Sequence, residues 1–177
     1  GLLIIGVGRG ATKRLDEFKG MEKEYIAEIT LGATSDTQDK TGTLISGNTD
    51  ILPSLEEIST VVSSFIGKQT QIPPMFSAKK VKGKKLYELA RKGEEIEREP
   101  VSIEIYDIEL MSYHYPTLQV RIQVSTGTYI RTLAYDIGEK LGTGAYCHEL
   151  RRTKIGKYLV ENAKDPKTIT EKDIFAV

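Results

Sequence analysis

The spacing of hydrophobic and polar positions changes several times along this 177-residue chain. Residues Leu2 to Val7 form an almost unbroken apolar run, which predicts a buried strand, with Gly8-Arg9-Gly10 as a turn after it. Ala11 to Phe18 predicts a short helix closed by Gly20. From Lys23 to Leu31 the pattern alternates. Tyr25, Ala27, Ile29 and Leu31 share one face and Glu24, Glu28 and Thr30 the other, as in a half-buried strand. Gly32 to Asp50 is rich in Gly, Thr, Asp and Ser and predicts a long loop or an irregular hairpin.

Leu55, Ile58, Val61, Val62, Phe65 and Ile66 recur at helical spacing behind Ser54 and Glu57, which form a capping box, and Gly67 is the expected stop. Pro73-Pro74 forces an extended segment before Phe76-Ser77-Ala78. Leu86 to Arg91 predicts a short helix ended at Gly93. Val101 to Leu110 and Leu118 to Val124 predict two strands joined across Pro116. The apolar parity of the first switches between Ile105 and Ile108, the mark of a bulge. After Gly127 a helix carries Ile130, Leu133, Ala134, Ile137 and Leu141 on one face and stops at Gly142. Ala145 to Gly156 predicts a last strand, and Thr170 to Val177 the start of a further helix. Strands and helices mix without a regular βαβ alternation and without internal repeats, so the expected class is α+β.

Composition narrows this little. Lysine and arginine (25) balance aspartate and glutamate (25), so net charge neither supports nor excludes a nucleic-acid partner, and only clustering can speak. A single cysteine, Cys147, rules out an internal disulfide framework and fits a reducing cytoplasm. The N-terminal apolar run is too short to span a membrane. The chain begins at Gly1, inside that run and without a methionine, and reads as an internal piece of a longer protein.

Most motifs of common chemistries are missing. Gly6-Val7-Gly8-Arg9-Gly10 lacks the spacing of a dinucleotide fingerprint, and no phosphate-cradling P-loop occurs. Cys147 and His148 are neighbours on a predicted strand and face opposite ways, and His114 is the only other histidine, too few ligands for zinc. Asp36-Thr37-Gln38-Asp39 lacks the spacing of a calcium loop and reads as Asx turns. Two basic clusters remain: Lys79, Lys80, Lys82, Lys84 and Lys85 around Gly83, and Arg151, Arg152, Lys154 and Lys157 on the last strand and its turn. Such local cation density suits a phosphate backbone even in a neutral chain. Arg131 sits where a strand gives way to a helix, off the apolar helix face. Asp136, the nearest acid along the helix, does not share its side.

Several blocks resemble the tRNA pseudouridine synthase B family. They are Lys23-Glu24-Tyr25-Ile26-Ala27 leading to Leu31-Gly32-Ala33-Thr34-Ser35-Asp36-Thr37-Gln38-Asp39-Lys40-Thr41-Gly42, then Gln71-Ile72-Pro73-Pro74-Met75-Phe76-Ser77-Ala78-Lys79-Lys80, then Gly127-Thr128-Tyr129-Ile130-Arg131-Thr132-Leu133, and Leu150-Arg151-Arg152-Thr153. The resemblance implies the pseudouridine synthase fold, a mixed and largely antiparallel sheet with helices around a cleft, and one catalytic domain over residues 1–177, cut at both ends. It also implies the isomerisation of uridine to pseudouridine at position 55 in the T arm of tRNA, by a cytoplasmic monomer that needs no metal or cofactor.

In that family pattern Tyr25 stacks on the target base and removes the proton from C5. Arg131 holds the catalytic carboxylate, and Tyr129 and Leu150 line the pocket. Lys23, Lys79, Lys80, Arg151 and Arg152 are the candidates for further contact with the T-arm stem-loop. Attack of the carboxylate on the base and on the sugar both stay open. The Gly-Thr-Leu-Asp-Pro stretch that bears the family's catalytic aspartate has no counterpart here. The competing expectation is therefore a tRNA-binding or tRNA-folding protein without catalysis.

Overall fold

The computed structural model describes residues 1–81 and 83–174. Two short helices, α1 (Gly8–Lys13) and α2 (Leu15–Lys19), lead into β1 (Lys23–Leu31). A small antiparallel hairpin, β2 (Ala33–Ser35) and β3 (Leu44–Ser46), precedes α3 (Leu55–Ser63) and β4 (Gly67–Gln71). A second hairpin, β5 (Lys80–Val81) and β6 (Lys84–Lys85), carries α4 (Leu86–Ala90). The long strands β7 (Val101–His114) and β8 (Thr117–Val124), the helix α5 (Ile130–Leu141), β9 (Ala145–Ile155) and β10 (Tyr158–Leu159) complete the order.

Six strands form one sheet in the order β10-β9-β1-β8-β7-β4, every neighbouring pair antiparallel. The first and last thirds of the chain thus meet at its centre, β1 lying between β8 and β9. Alternation along β1 and β8 sends Ala27, Ile29, Leu118, Val120 and Ile122 to one face, where all are fully buried. Ile58 and Val62 of α3 and Ile130, Leu133, Ala134 and Ile137 of α5 pack on that face and close the core.

The sequence expectations hold for β1, for the irregular hairpin and for the capping box, in which Glu57 N–H donates to Ser54 Oγ and Ser54 N–H to the Glu57 carboxylate. They hold for α4, for the bulge of β7 between Ile105 and Asp107, for α5 and for its left-handed stop at Gly142. Other expectations need correction. Leu2 to Val7 is not a buried strand: only Leu2 is buried, while Leu3, Ile5 and Val7 face outward. The run meets the sheet at Leu2, whose N–H donates to Arg152 O and whose carbonyl accepts from Arg152 Nε, and the neighbouring stretch of the β9 edge pairs with β10.

Gly8 to Gly10 opens α1 instead of turning, and the expected Ala11–Phe18 helix is two helices parted at Arg14, whose N–H closes a tight turn on Ala11 O. The third helix stops at Ser63, a turn before Gly67, which begins β4. Of the helix expected at Thr170–Val177, the described part is one 3-10 turn, Glu171–Asp173; residues 175–177 lie outside the described residues, as does Lys82 of the lysine cluster.

Candidate active site

The N-terminus of α5 is where the fold gathers polar groups. Arg131 stands in its first turn with about three-quarters of the side chain covered. Its Nη1 donates to Asp39 Oδ2 at 2.7 Å and to Thr37 O at 3.1 Å, and its Nη2 donates to Phe76 O at 2.7 Å. One guanidinium therefore joins three segments distant in sequence. The acid that Arg131 lacks along its own helix is supplied by the loop between β2 and β3. A guanidinium has five N–H donors, and these bonds occupy three. The N–H on Nε and one N–H on Nη2 have no partner among the described residues, so donors remain for a further acceptor.

Asp39 is itself held from several sides. Its Oδ1 accepts from Thr41 N–H at 3.0 Å, Thr41 Oγ1 at 2.6 Å and Thr37 Oγ1 at 2.8 Å. Partial burial by itself would raise this carboxyl. The Thr41 hydroxyl and amide, the Thr37 hydroxyl and then Arg131 outweigh it and bring the carboxyl down to about 2. Of the Asx turns expected of this loop one is present, at Asp39, and it aims this residue at the arginine, while Asp36 Oδ1 accepts from Thr43 N–H across the loop.

The loop tip docks on the edge of β9 away from β1. Cys147 N–H donates to Gln38 O at 3.0 Å, Thr132 Oγ1 donates to Gln38 Oε1 at 2.8 Å, and Lys40 pairs with Glu149. Gln38 adopts a left-handed backbone (φ 61°) to make this turn, a conformation that the bonds around it over-determine. Cys147 lies buried beside the pair. Burial first, and then the Asp39 charge against the opposing pull of Arg131, pushes its thiol up to about 12, so it stays protonated and inert.

On from Cys147 the sheet loses its cover. Leu150 stands opposite Ala27 and Arg152 opposite Tyr25, so these four share the core face of β1 and β9. Ala27 is fully buried, yet Leu150 is 42% exposed, and Tyr25 only partly covered at the margin of the core. A bulge on each side, at His148 and at Thr153, sets this stretch of β9 off from its flanks. Tyr25 and Leu150 thus share a less covered stretch of the sheet, and the largely covered Arg131–Asp39 pair adjoins β9 at Cys147. Tyr129 caps α5 two residues before Arg131.

The remaining candidates are dispersed. Arg152 shares the stretch of sheet with Tyr25 and Leu150, but its Nε donates to Leu2 O at 2.9 Å. Arg151 faces the opposite side of the sheet, opposite Ile26. Lys23 directs its ammonium to Lys19 O (2.5 Å) and Met21 O (2.6 Å), and burial, helped by Arg152, lowers its pKa. Lys79 and Lys80 belong to the β5–β6 hairpin, where Lys80 is exposed. Sequence reasoning missed two residues: Asp39 as the partner of Arg131, and Gln71, whose amide binds the backbone of Tyr129. The regularity of neither reveals it, because both partners lie far off along the chain.

Comparison with known proteins places these features in a family. The model described as TruB family pseudouridylate synthase (N terminal domain) matches residues 1–130, and that described as tRNA pseudouridylate synthase B C-terminal domain matches residues 131–176. Their junction falls within α5, and β9 beyond it pairs with β1 before it, so both matches share one sheet. The tRNA pseudouridine synthase B of Protochlamydia amoebophila (strain UWE25) is 51% identical over 92% of this chain and 61% of its own length. That of Clostridium tetani (strain Massachusetts / E88) is 44% identical over 98% of this chain and 60% of its own. The chain spans about 60% of the length of these curated relatives.

Among solved structures, the crystal structure of a Cbf5-Nop10-Gar1 complex matches with a TM-score of 0.61 and 28% identity, over 85% of this chain and 35% of that one. An H/ACA RNP bound to a substrate RNA containing 2'-deoxyuridine shares the fold, with a TM-score of 0.55 at 24% identity over 85% of this chain and 33% of that one. No helix among the described residues is long and apolar enough to cross a membrane. With its motifs, its sheet and its closely similar relatives in agreement, the chain belongs to the TruB family of pseudouridylate synthases.

Proposed function

We propose that the protein isomerises uridine to pseudouridine at position 55 in the T arm of tRNA, as a cytoplasmic monomer in which residues 1–177 belong to one catalytic domain. The observation that carries this reading is Arg131: anchored by Asp39, Thr37 O and Phe76 O, it keeps donors without a partner among the described residues, available to a second carboxylate, near partly covered Tyr25 and exposed Leu150. In this reading the second carboxylate is the nucleophilic aspartate of the Gly-Thr-Leu-Asp-Pro stretch, which residues 1–177 do not contain.

The chemistry follows from the residues. A uridine buried in a folded loop must be turned out of its stack, and flat or apolar side chains repay part of that cost. Tyr25 offers a stacking surface worth roughly 1–3 kcal/mol, and Leu150 and Tyr129 the walls. The arginine keeps the attacking carboxylate ionised and oriented. Once the N1–C1′ glycosidic bond has broken, the base has turned over and C5 has joined C1′ of the ribose, the Tyr25 hydroxyl stands as the group to relay the C5 proton to solvent, and N1 takes up a proton in exchange. Lys79, Lys80, Arg151, Arg152 and Lys23 lie on three different parts of the surface and would meet a folded RNA by shape and phosphate contact.

The test uses the complete gene product and a T-arm stem-loop carrying tritium on C5 of the target uridine. Release of tritium is expected, because the new bond forms at that carbon. Tight binding of the RNA with no release would replace this reading by that of a non-catalytic tRNA-binding protein.

A further inference from the structure

The side chain of Gln71 is 3% exposed and ends the edge strand β4. Its carboxamide meets the backbone of one residue twice: Tyr129 N–H donates to Oε1 at 2.8 Å, and Nε2 donates to Tyr129 O at 3.0 Å. Tyr129 is the N-cap of α5 and has no side-chain cap of its own. Its carbonyl also accepts the first helical bond, from Leu133 N–H at 3.1 Å, so both of its lone pairs are engaged.

The chain leaving Gln71 returns to the same place. It passes through Pro73-Pro74, whose rings fix the local backbone, and reaches Phe76, whose carbonyl accepts Arg131 Nη2. Arg98 fastens the passage by donating from Nη1 to Pro73 O at 3.1 Å. Gln71, Tyr129, Arg131 and Phe76 therefore form a closed circuit of side-chain bonds and short chain segments. Moving any member moves the guanidinium.

We propose that Gln71 is a positioning residue of this site: its carboxamide fixes the start of α5 against the Pro73–Phe76 segment and so sets where the Arg131 fork stands. The inference rests on the pseudouridine synthase reading above. A residue present only to fill space would not need an amide. An apolar side chain of the same volume would fill the position but leave Tyr129 N–H without its acceptor and free α5 to shift or rotate at its start.

The test compares Gln71→Met and Gln71→Glu with wild type in the complete gene product. Methionine keeps the volume and removes both bonds. Glutamate, when ionised, keeps the acceptor but loses the donor to Tyr129 O. Both variants are expected to lower the single-turnover rate of pseudouridine formation roughly 10- to 100-fold, the usual effect of a small misplacement of a reacting group. The dissociation constant for the stem-loop should stay essentially unchanged, and the Tyr129 amide should exchange with solvent faster.

A wild-type rate in Gln71→Met, or a loss that appears wholly in RNA affinity, overturns the positioning role and leaves the function standing. An inactive wild type overturns the function instead. In that event the clamp is still judged by amide exchange, and unchanged protection of Tyr129 in Gln71→Met overturns it as well.

Discussion

Replacing Asp39 by asparagine keeps the shape of the side chain and its capacity to accept from Thr41, but removes the negative charge that faces Arg131. The structure sets the size of the effect. A carboxyl held at about 2 in the folded protein, against an ordinary value of about 3.9, corresponds to roughly 2.5 kcal/mol at neutral pH. The side chain is 22% exposed, so solvent screening removes only part of this, and a loss of about 2 kcal/mol is expected for Asp39→Asn at pH 7. The sign of the pH dependence follows from the direction of the shift. Because the folded carboxyl titrates below the unfolded one, its stabilisation is complete above about pH 5, decays as pH falls through about 2, and is gone near pH 1.

Asparagine carries no such contribution at any pH, so the gap between variant and wild type should narrow to about half at pH 3. Urea unfolding followed by circular dichroism measures it, since the chain has no tryptophan to report by fluorescence. A gap that stays constant between pH 7 and pH 3, or that is below about 0.5 kcal/mol at pH 7, would refute the account of Asp39 as an ionised anchor.

Arg131→Ala should nearly abolish tritium release in the complete gene product while RNA binding by filter retention persists; turnover at the wild-type level would remove the carboxylate-holding role. The double variant Lys79→Ala, Lys80→Ala should weaken stem-loop binding and reduce the slope of log affinity against log salt by about 1.5, as expected for two lost phosphate contacts. An unchanged slope would mean that this hairpin faces away from the RNA. Ser54→Ala removes half of the capping box of α3 and should cost about 1 kcal/mol in thermal or urea unfolding, with no effect on turnover per folded molecule.

Elements whose pattern answers to local geometry were legible in the sequence. Strand β1 alternates because one side of it meets the core, and α3 announces itself by Ser54 and Glu57. The bulge of β7 shows as a change of parity at Ile105, and α5 ends where Gly142 takes the left-handed conformation. Strand β4 left no such trace. Gly67-Lys68-Gln69-Thr70-Gln71 has no apolar residue, since it forms the edge of the sheet and buries only a polar side chain. Leu2 to Val7 misled in the opposite sense, being apolar without being covered.

Arg131 and Tyr25 stood out in the sequence as candidates through the motifs that carry them, but the Asp39 carboxylate that anchors the arginine did not. The two are 92 residues apart, and nothing in either neighbourhood encodes their meeting. Gln71 escaped for a like reason, its amide answering to a backbone 58 residues away.

The position of β1 between β8 and β9 bears on how the protein is made. Strand β1 is synthesised well before β9, the strand that pairs with Tyr25 and Ala27 on one side. Such pairings pay their loop-closure cost late and fold slowly. Until β9 is synthesised there is no edge for the Gln38–Asp39 tip to dock on, and the acidic anchor of Arg131 has no fixed place. The nascent chain therefore carries the lysine hairpin before it carries the edge on which the Asp39 loop docks, and the Arg131–Asp39 pair is completed only with β9.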